Sequence, residues 1–361
     1  MGNPRVMSSA YMYWARTSSE ARFNLSNSGV AGYPLAELPV RIEDLEINGP
    51  CTYGYEPLQR AIAAKCDVTT ENVVATNGAS MGNFLALAAT LEPGDEVLIE
   101  QPTYELLVSA ARYLGANIKR FLRRREQAFR IDLSEVERRV SSRTRLIVLT
   151  NLHNPSSAPV DEVTLRQLGK IARRANARVM VCEIYLDAMF EKTPRSAFHL
   201  GHEFITTNSL TKIYGLSGLR CGWILAEPEL ATRIWRLNDL MTNNPAHTAE
   251  RLSCIAIANL DRIGQRARDL LDTNRSVLNW FLDGRDDIEA TRFAYGTVSF
   301  PRWRHGGVDE LCDLLREKYE TTVVPGRFFE MPDHFRLGLG CEADVFAAGI
   351  ERLGEALDSF R

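Results

Sequence analysis

Between residues 73 and 226 the chain repeats one unit: a short run rich in Val, Ile and Leu, then a helical stretch. The runs are VVAT (73–76), VLIE (97–100), NIKRF (117–121), RLIVLT (145–150), RVMVC (178–182), FITTN (204–208) and CGWILA (221–226). Between them, ASMGNFLALAATL stops near Pro93-Gly94, YELLVSAARYLG ends in Gly115, and LSEVERRV follows Asp132 as its cap. VDEVTLRQLGKIARRAN is amphipathic, and a further helix begins at Pro228. Several runs are apolar at consecutive positions rather than alternating, so both of their faces must be covered. That is the pattern of a largely parallel sheet with helices on both sides. The expected fold is therefore α/β, a three-layer α/β/α large domain.

After residue 240 the rhythm changes. Residues 247–281 read as one long helix or a pair, and the tail mixes strands (RFAYGTVSF, TTVVP, FRLGLG) with helices (VDELCDLLREKYE, ADVFAAGIERLGEALDSF). We expect a large domain over 46–280 and a smaller α+β domain built from 281–361 together with 1–45. Tyr11, Tyr13 and Trp14 near the start must pack somewhere, against the body or over a cleft. The charge run Arg123–Arg125 reads as a solvated turn.

Composition excludes several classes. A formal charge of −3 over 361 residues gives no bulk attraction to nucleic acid or anionic lipid. Seven scattered cysteines with no CxxC spacing argue against a metal site or a disulfide scaffold and fit a reducing cytoplasm. No stretch is long and apolar enough to span a bilayer, and MGNPRVMSSAYMYW has neither an apolar targeting core nor the hydroxyl residue expected after Met-Gly for myristoylation. The expectation is a cytoplasmic protein with no membrane or nucleic-acid partner. No GxGxxG joins a strand to a helix, which disfavours a dinucleotide enzyme.

Chemistry in open α/β sheets gathers beyond the carboxyl ends of the strands. Here that rule singles out Tyr104, Asn154, Tyr185 and the loop TTNSLTKIYGLSGLRCGW, which carries Ser209, Lys212 and Arg220 between two apolar runs. Gly78, Ala79 and Ser80 open a helix, where free N–H groups and the dipole favour an anion, although such a turn needs small residues in any case. Lys212 is either a solvated lysine or a desolvated amine with a lowered pKa, able to act as a nucleophile.

SLTKIYGLSGLRCGW resembles the lysine segment of fold-type-I pyridoxal-phosphate (PLP) enzymes, the aminotransferase class I/II family, and LHNPSS resembles that family's Asn-Pro segment. The resemblance runs from the glycine region near residue 29 to FRLGLG. It implies an aspartate-aminotransferase-like fold and PLP as cofactor. Lys212 would then be the Schiff-base lysine. Ser209, Arg220 and the Gly78–Ser80 helix start would bind the phosphate, and Tyr104 would stack on the ring. Asn154 and Tyr185 would hydrogen-bond the 3′-oxygen, and Arg336 would grip a substrate α-carboxylate. Gly29 would line the substrate pocket. Tyr53, with Tyr55 as the alternative, would reach the phosphate of a neighbouring subunit in a homodimer. The implied activity is amino transfer from an α-amino acid to a 2-oxo acid.

Two departures matter. The family's D-E-x-Y pattern reads Cys182-Glu183-Ile184-Tyr185, so Cys182 stands where a carboxylate usually pairs with the ring nitrogen. Side chains alternate along a strand, so Glu183 should face the other way, and Asp187 lies beyond Tyr185 and would need a bulge or register change. Cys182 would be a thiolate beside a protonated ring, or a thiol beside a neutral one. The neutral case makes elimination, deamination, racemisation or a specialised biosynthetic step the alternative to transamination, and a catalytically weakened relative remains a third reading. Ser156-Ser157 also follows Asn154-Pro155 where Thr/Ser-Gly is common.

Overall fold

The computed structural model describes residues 7–50 and 52–360; the extreme N-terminal residues used for the targeting expectation lie outside them. Seven strands form the central sheet: β2 (Val73–Asn77), β3 (Glu96–Gln101), β4 (Asn117–Leu122), β5 (Thr144–Thr150), β6 (Arg178–Cys182), β7 (Phe204–Ser209) and β8 (Cys221–Leu225), with β1 the short Phe23–Asn24. Their spatial order is β2-β8-β7-β6-β5-β3-β4. All neighbours are parallel except β8, which runs antiparallel to both β2 and β7. This exception has a consequence for the site. A strand running backwards begins where the others end, so Arg220, just before β8, reaches the same sheet edge as Lys212, just after β7.

The expected apolar-on-both-faces character is visible in the packing. Val97, Ile99, Leu146, Val148, Met180 and Cys182 join one core, which includes helix α3 (Gly78–Thr90). Leu98, Ile147, Leu149, Val179 and Val181 join another, against α5 (Leu133–Arg139) and α6 (Glu162–Arg174). Asp132 caps α5 as expected, its Oδ1 accepting from the Ser134 and Glu135 N–H groups. The remaining helices are α1 (Ala10–Thr17), α2 (Glu56–Cys66), α4 (Glu105–Tyr113), α7 (Pro228–Asn238), α8 (His247–Ile257), α9 (Leu260–Asp283), α10 (Val308–Tyr319) and α11 (Ala343–Asp358). The 247–281 stretch is thus a pair of helices.

A smaller core gathers Leu25, Val30, the α9 residues Ala267, Leu271 and Leu278, and side chains of α10, α11 and Phe335–Gly338. Tyr33 and Leu38 pack with the large core instead. Phe23–Asn24 pairs with Thr321–Thr322, which ties the N-terminal segment to the C-terminal part of the chain.

Arg123 corrects the reading of the charge run as a solvated turn. Its side chain is buried, with Nη1 2.8 Å from Glu100 Oε2. The Glu100 carboxylate also accepts from the N–H and the hydroxyl of Thr150, 2.7 Å each. Periodicity misses this because the partner carboxylate comes from the end of another strand.

Candidate active site

At the carboxyl edge of the sheet lies a cavity of about 730 Å³, lined on one side by Ala79, Ser80, Ser209, Lys212 and Arg220. Tyr104 and Tyr185 line another part of it, and Tyr11 and Trp14 of α1 close it. The N-terminal aromatics therefore cap a cleft, with Tyr13 left exposed. A second cleft of about 810 Å³ between α2, α8 and α9 carries mixed charge, but its Asp187 is already paired to Lys65 and Tyr214.

One end of the cavity is an anion cradle. Asn77 precedes α3 without a side-chain cap, so the first N–H groups of that helix are free for a ligand. Gly78 has φ +77°, and a Cβ there would sit 2.4 Å from Arg220 Nη2, so only glycine lets the guanidinium close over the helix start. Arg220 is itself in the left-handed region, φ 49°. No carboxylate pairs with it among the described residues. The Ser209 hydroxyl, buried at the end of β7, accepts from the Thr211 N–H. Two or three N–H groups, a hydroxyl and an unpaired guanidinium suit a phosphate.

Lys212 sits in the middle. Its Nζ donates to Ser28 Oγ at 3.1 Å, and the Tyr185 hydroxyl donates to the same oxygen at 2.9 Å. Removal from water, reinforced by Arg336 and then Arg220, lowers the Lys212 pKa to about 8. Gly29 presses on the lysine: a Cβ there would meet Lys212 Cδ at 3.4 Å. The cavity lining comes from its neighbours Asn27 and Ser28. Burial raises the Tyr185 phenol to about 12 and also raises Tyr104. The Tyr104 ring meets Tyr11 edge-on, centroids 5.9 Å apart.

Arg336 is fully buried and has no carboxylate partner among the described residues. It donates to Asn154 Oδ1 (3.1 Å), the Tyr11 hydroxyl (2.9 Å) and the Ser26 carbonyl (3.0 Å), all neutral acceptors. A buried cation with neutral acceptors and the Tyr11 and Phe329 rings around it can receive an anion, since a charge kept out of water is costly until paired. Asn154 is held in turn by its N–H to Thr150 Oγ1 at 3.0 Å, above the Glu100–Arg123 pair. The Ser156-Ser157 turn is accommodated: Ser157 takes φ 68° and its hydroxyl bonds the Val298 carbonyl.

Cys182 is buried at the end of β6 on the α3 side, 3.7 Å from Asn83 Nδ2. Burial raises its thiol pKa. Glu183 points to the opposite side as expected, accepting from Ser196 Oγ and the Ala197 N–H at 2.7 Å each. Asp187 is held by Lys65 and Tyr214. Tyr53 does not enter the cavity. It is exposed, its hydroxyl 3.2 Å from Asp239 Oδ2, and Tyr55 packs on His247 instead. The sequence reading missed Ser28, Tyr11 as an Arg336 partner, and Asn83. A polar residue inside the otherwise apolar ASMGNFLALAAT was the available signal for Asn83.

The model of the family described as aminotransferase class I and II matches residues 47–353. The chain belongs to this family. It is 30% identical over 352 residues to capreomycidine synthase of Streptomyces vinaceus, covering 94% of this chain and 90% of the relative. Among solved structures, a PLP-dependent aminotransferase from Streptococcus suis superposes with a TM-score of 0.91 at 25% identity, over 100% of this chain and 99% of that one. The PLP-dependent cyclase OrfR gives 0.87 at 25% identity, over 100% and 98%. The family member is thus a PLP-dependent enzyme with the α/β fold expected from the sequence, and its cofactor is pyridoxal 5′-phosphate. The residues present fit that group: an anion cradle with no acid in it, a lysine of lowered pKa, a flat aromatic wall, and a phenol and an amide beside them. No helix among the described residues is long and apolar enough to cross a membrane.

Proposed function

We propose that the chain acts on an α-amino acid with a leaving group at Cβ and removes or replaces that group without net amino transfer. The observation that carries the reading is Cys182. Among the described residues, the candidate carboxylates for holding a proton on the cofactor's ring nitrogen, Glu183, Asp187 and Glu100, are each committed elsewhere. When bound, PLP withdraws the electron pair released at the substrate Cα, and it does so most strongly when its ring is protonated. With a neutral ring, less of that charge is drawn away, and more is available to expel a group from Cβ. The names of two relatives, a synthase and a cyclase, support the same direction, with the replacing nucleophile carried by the substrate itself.

The chain's residues have definite parts in this reading. Gly78, Ala79, Ser80, Ser209 and Arg220 hold the phosphate. Tyr104 would cover one ring face, while Asn154, whose Oδ1 is taken by Arg336, would offer its amide N–H to the 3′-oxygen beside Tyr185. Arg336 takes the substrate carboxylate in two charge-assisted bonds and so fixes which Cα bond is broken. The Lys212 amine, freed when substrate takes its place, removes the Cα proton. The Cβ group departs with its bonding pair, a nucleophile adds at Cβ, and Lys212 returns the proton to Cα. Tyr53 lies at the surface against Asp239, which is followed in sequence by the exposed Leu240 and Met241, and this supports a homodimer in which it serves the neighbouring copy.

Transamination with a 2-oxo acid acceptor is the second reading, favoured by the complete lysine, phosphate and carboxylate apparatus. A single-turnover experiment separates them. With β-chloroalanine, the proposal expects chloride, ammonia and pyruvate release at least about tenfold faster than conversion of the cofactor to its amine form. Stoichiometric conversion to the amine form with one oxo acid and no ammonia would sink it.

A further inference from the structure

Asn83, which lines the cavity, begins a hydrogen-bond chain that runs beneath it to the buried Thr207 and Cys182. The Thr207 hydroxyl donates to Asn83 Oδ1 at 2.6 Å, so the Asn83 amide presents Nδ2 to Cys182 Sγ at 3.7 Å. The sulfur therefore accepts from Asn83; the Ile184 N–H and the Thr207 hydroxyl group also lie within hydrogen-bonding reach of it, and its own S–H can turn between Thr207 Oγ1 and a ligand. Asn83 and Thr207 are buried, and Asn83 also lines the cavity. Thr207 is fixed by its strand position, paired with Cys182 across β6 and β7.

The ring nitrogen of PLP is para to the carbon that a lysine engages. With the phosphate held by Arg220 and the start of α3, and the 3′-oxygen by Asn154 and Tyr185, that nitrogen would lie on the side away from Lys212, toward Cys182 at the end of β6 beside α3. Among the described residues, the carboxylates that could take that place are engaged: Glu183 by Ser196 and Ala197, Asp187 by Lys65 and Tyr214, Glu100 by Arg123 and Thr150. The positive charges of Lys212, Arg220 and Arg336 already surround the site, and a further proton on the ring would add to them.

We propose that the Cys182 thiol donates its S–H to an unprotonated cofactor ring nitrogen, held in that orientation by the Thr207–Asn83 pair. Asn83 and Thr207 are positioning residues in this arrangement, and Cys182 is the cofactor contact. The inference rests on the cofactor placement given above. It concerns the ground state of the bound enzyme, and it holds whichever reaction follows.

The test reads the ring and the thiol directly. The full chain is reconstituted with PLP labelled with nitrogen-15 in the ring, and its nitrogen resonance and the infrared S–H stretch are recorded. The wild type is expected to show an unprotonated, hydrogen-bonded ring nitrogen, with an S–H band that moves to lower frequency on cofactor binding and vanishes in Cys182→Ala. Cys182→Ser, which keeps a neutral donor, should leave the nitrogen signal unprotonated. Cys182→Asp should move it upfield to the pyridinium position, and Asn83→Ala should reduce the S–H displacement. A pyridinium signal in the wild type, a missing S–H band in the holoprotein, or a nitrogen signal unmoved in Cys182→Asp would overturn the proposal. Borohydride trapping followed by peptide mapping reports separately whether Lys212 carries the cofactor, so a wrong placement is distinguishable from a wrong protonation state.

Discussion

In the proposed placement, the two ends of the cavity hold one flat anionic molecule by opposite means. At the phosphate end the chain spends charge: an uncapped helix start, a serine hydroxyl and the unpaired Arg220 converge on one point. At the nitrogen end it withholds charge: Cys182, Asn83 and Thr207 are polar, buried and neutral, and the nearby carboxylates are tied up. Anchoring strength and electronic control are thereby separated. On the proposed placement of the cofactor, the first end would decide whether it stays, and the second what it does with electrons from the substrate.

The largest expected effect lies between the two ends. Lys212→Ala removes both the covalent attachment and the proton carrier, and turnover should fall by about 10⁴-fold or more. The visible absorbance of the lysine-bound cofactor should disappear with it. Retention of that absorbance would move the attachment point to another residue and undo the comparison at its root.

The next effect tests the support under the substrate grip. Glu100→Gln leaves Arg123 as a buried charge without its partner, and loss of one member of such a pair costs about 3–5 kcal/mol. Urea unfolding should show a lowered midpoint with an unchanged slope. Thr150 loses an anionic acceptor at the same time, so the Asn154 backbone it holds should loosen and KM should rise more than kcat falls. Full stability in this variant would show that Arg123 finds water instead.

How much of this was legible in the sequence follows from where each signal resides. The sheet was legible because runs such as RLIVLT are apolar at consecutive positions, a local property. The strand-end residues were legible because the sheet places the carboxyl end of every strand except β8 on one edge. Arg123 was misread because its neighbours in sequence, Arg124 and Arg125, are more exposed, while its partner Glu100 lies on a different strand. Ser28 sits in a segment with no periodicity, and nothing local ties it to Lys212 and Tyr185. Cys182 was legible as a departure, but not the commitment of Glu183 and Asp187 elsewhere, which depends on Ser196, Lys65 and Tyr214 arriving from distant parts of the chain.

A smaller effect compares the ends by affinity. A hydrogen bond to a charged group contributes about 1.5–3 kcal/mol and a neutral one about 0.5–1.5 kcal/mol. Arg220→Ala should therefore weaken PLP binding by about 10- to 150-fold, and Cys182→Ala by about 2- to 12-fold, measured by equilibrium dialysis. Equal losses at the two ends would mean that the nitrogen end carries charge after all.

The smallest effect is a displacement along the pH axis. The Lys212 amine captures the cofactor aldehyde only when neutral, and burial with Arg336 and Arg220 sets its pKa at about 8. A lysine whose pKa is lowered gains its neutral form as pH rises through that value, so the capture rate should climb with a half-point near pH 8. Arg336→Met removes one of the two cations while leaving burial in place. Ammonium is then less disfavoured, and the half-point should move upward while remaining below the ordinary lysine value. The Cys182→Asp variant should move it upward too, because a carboxylate at the floor stabilises the ammonium from the other side. If Arg336→Met shifts the half-point and Cys182→Asp does not, Lys212 senses the carboxylate grip but not the floor, and the nitrogen end acts on the ring alone.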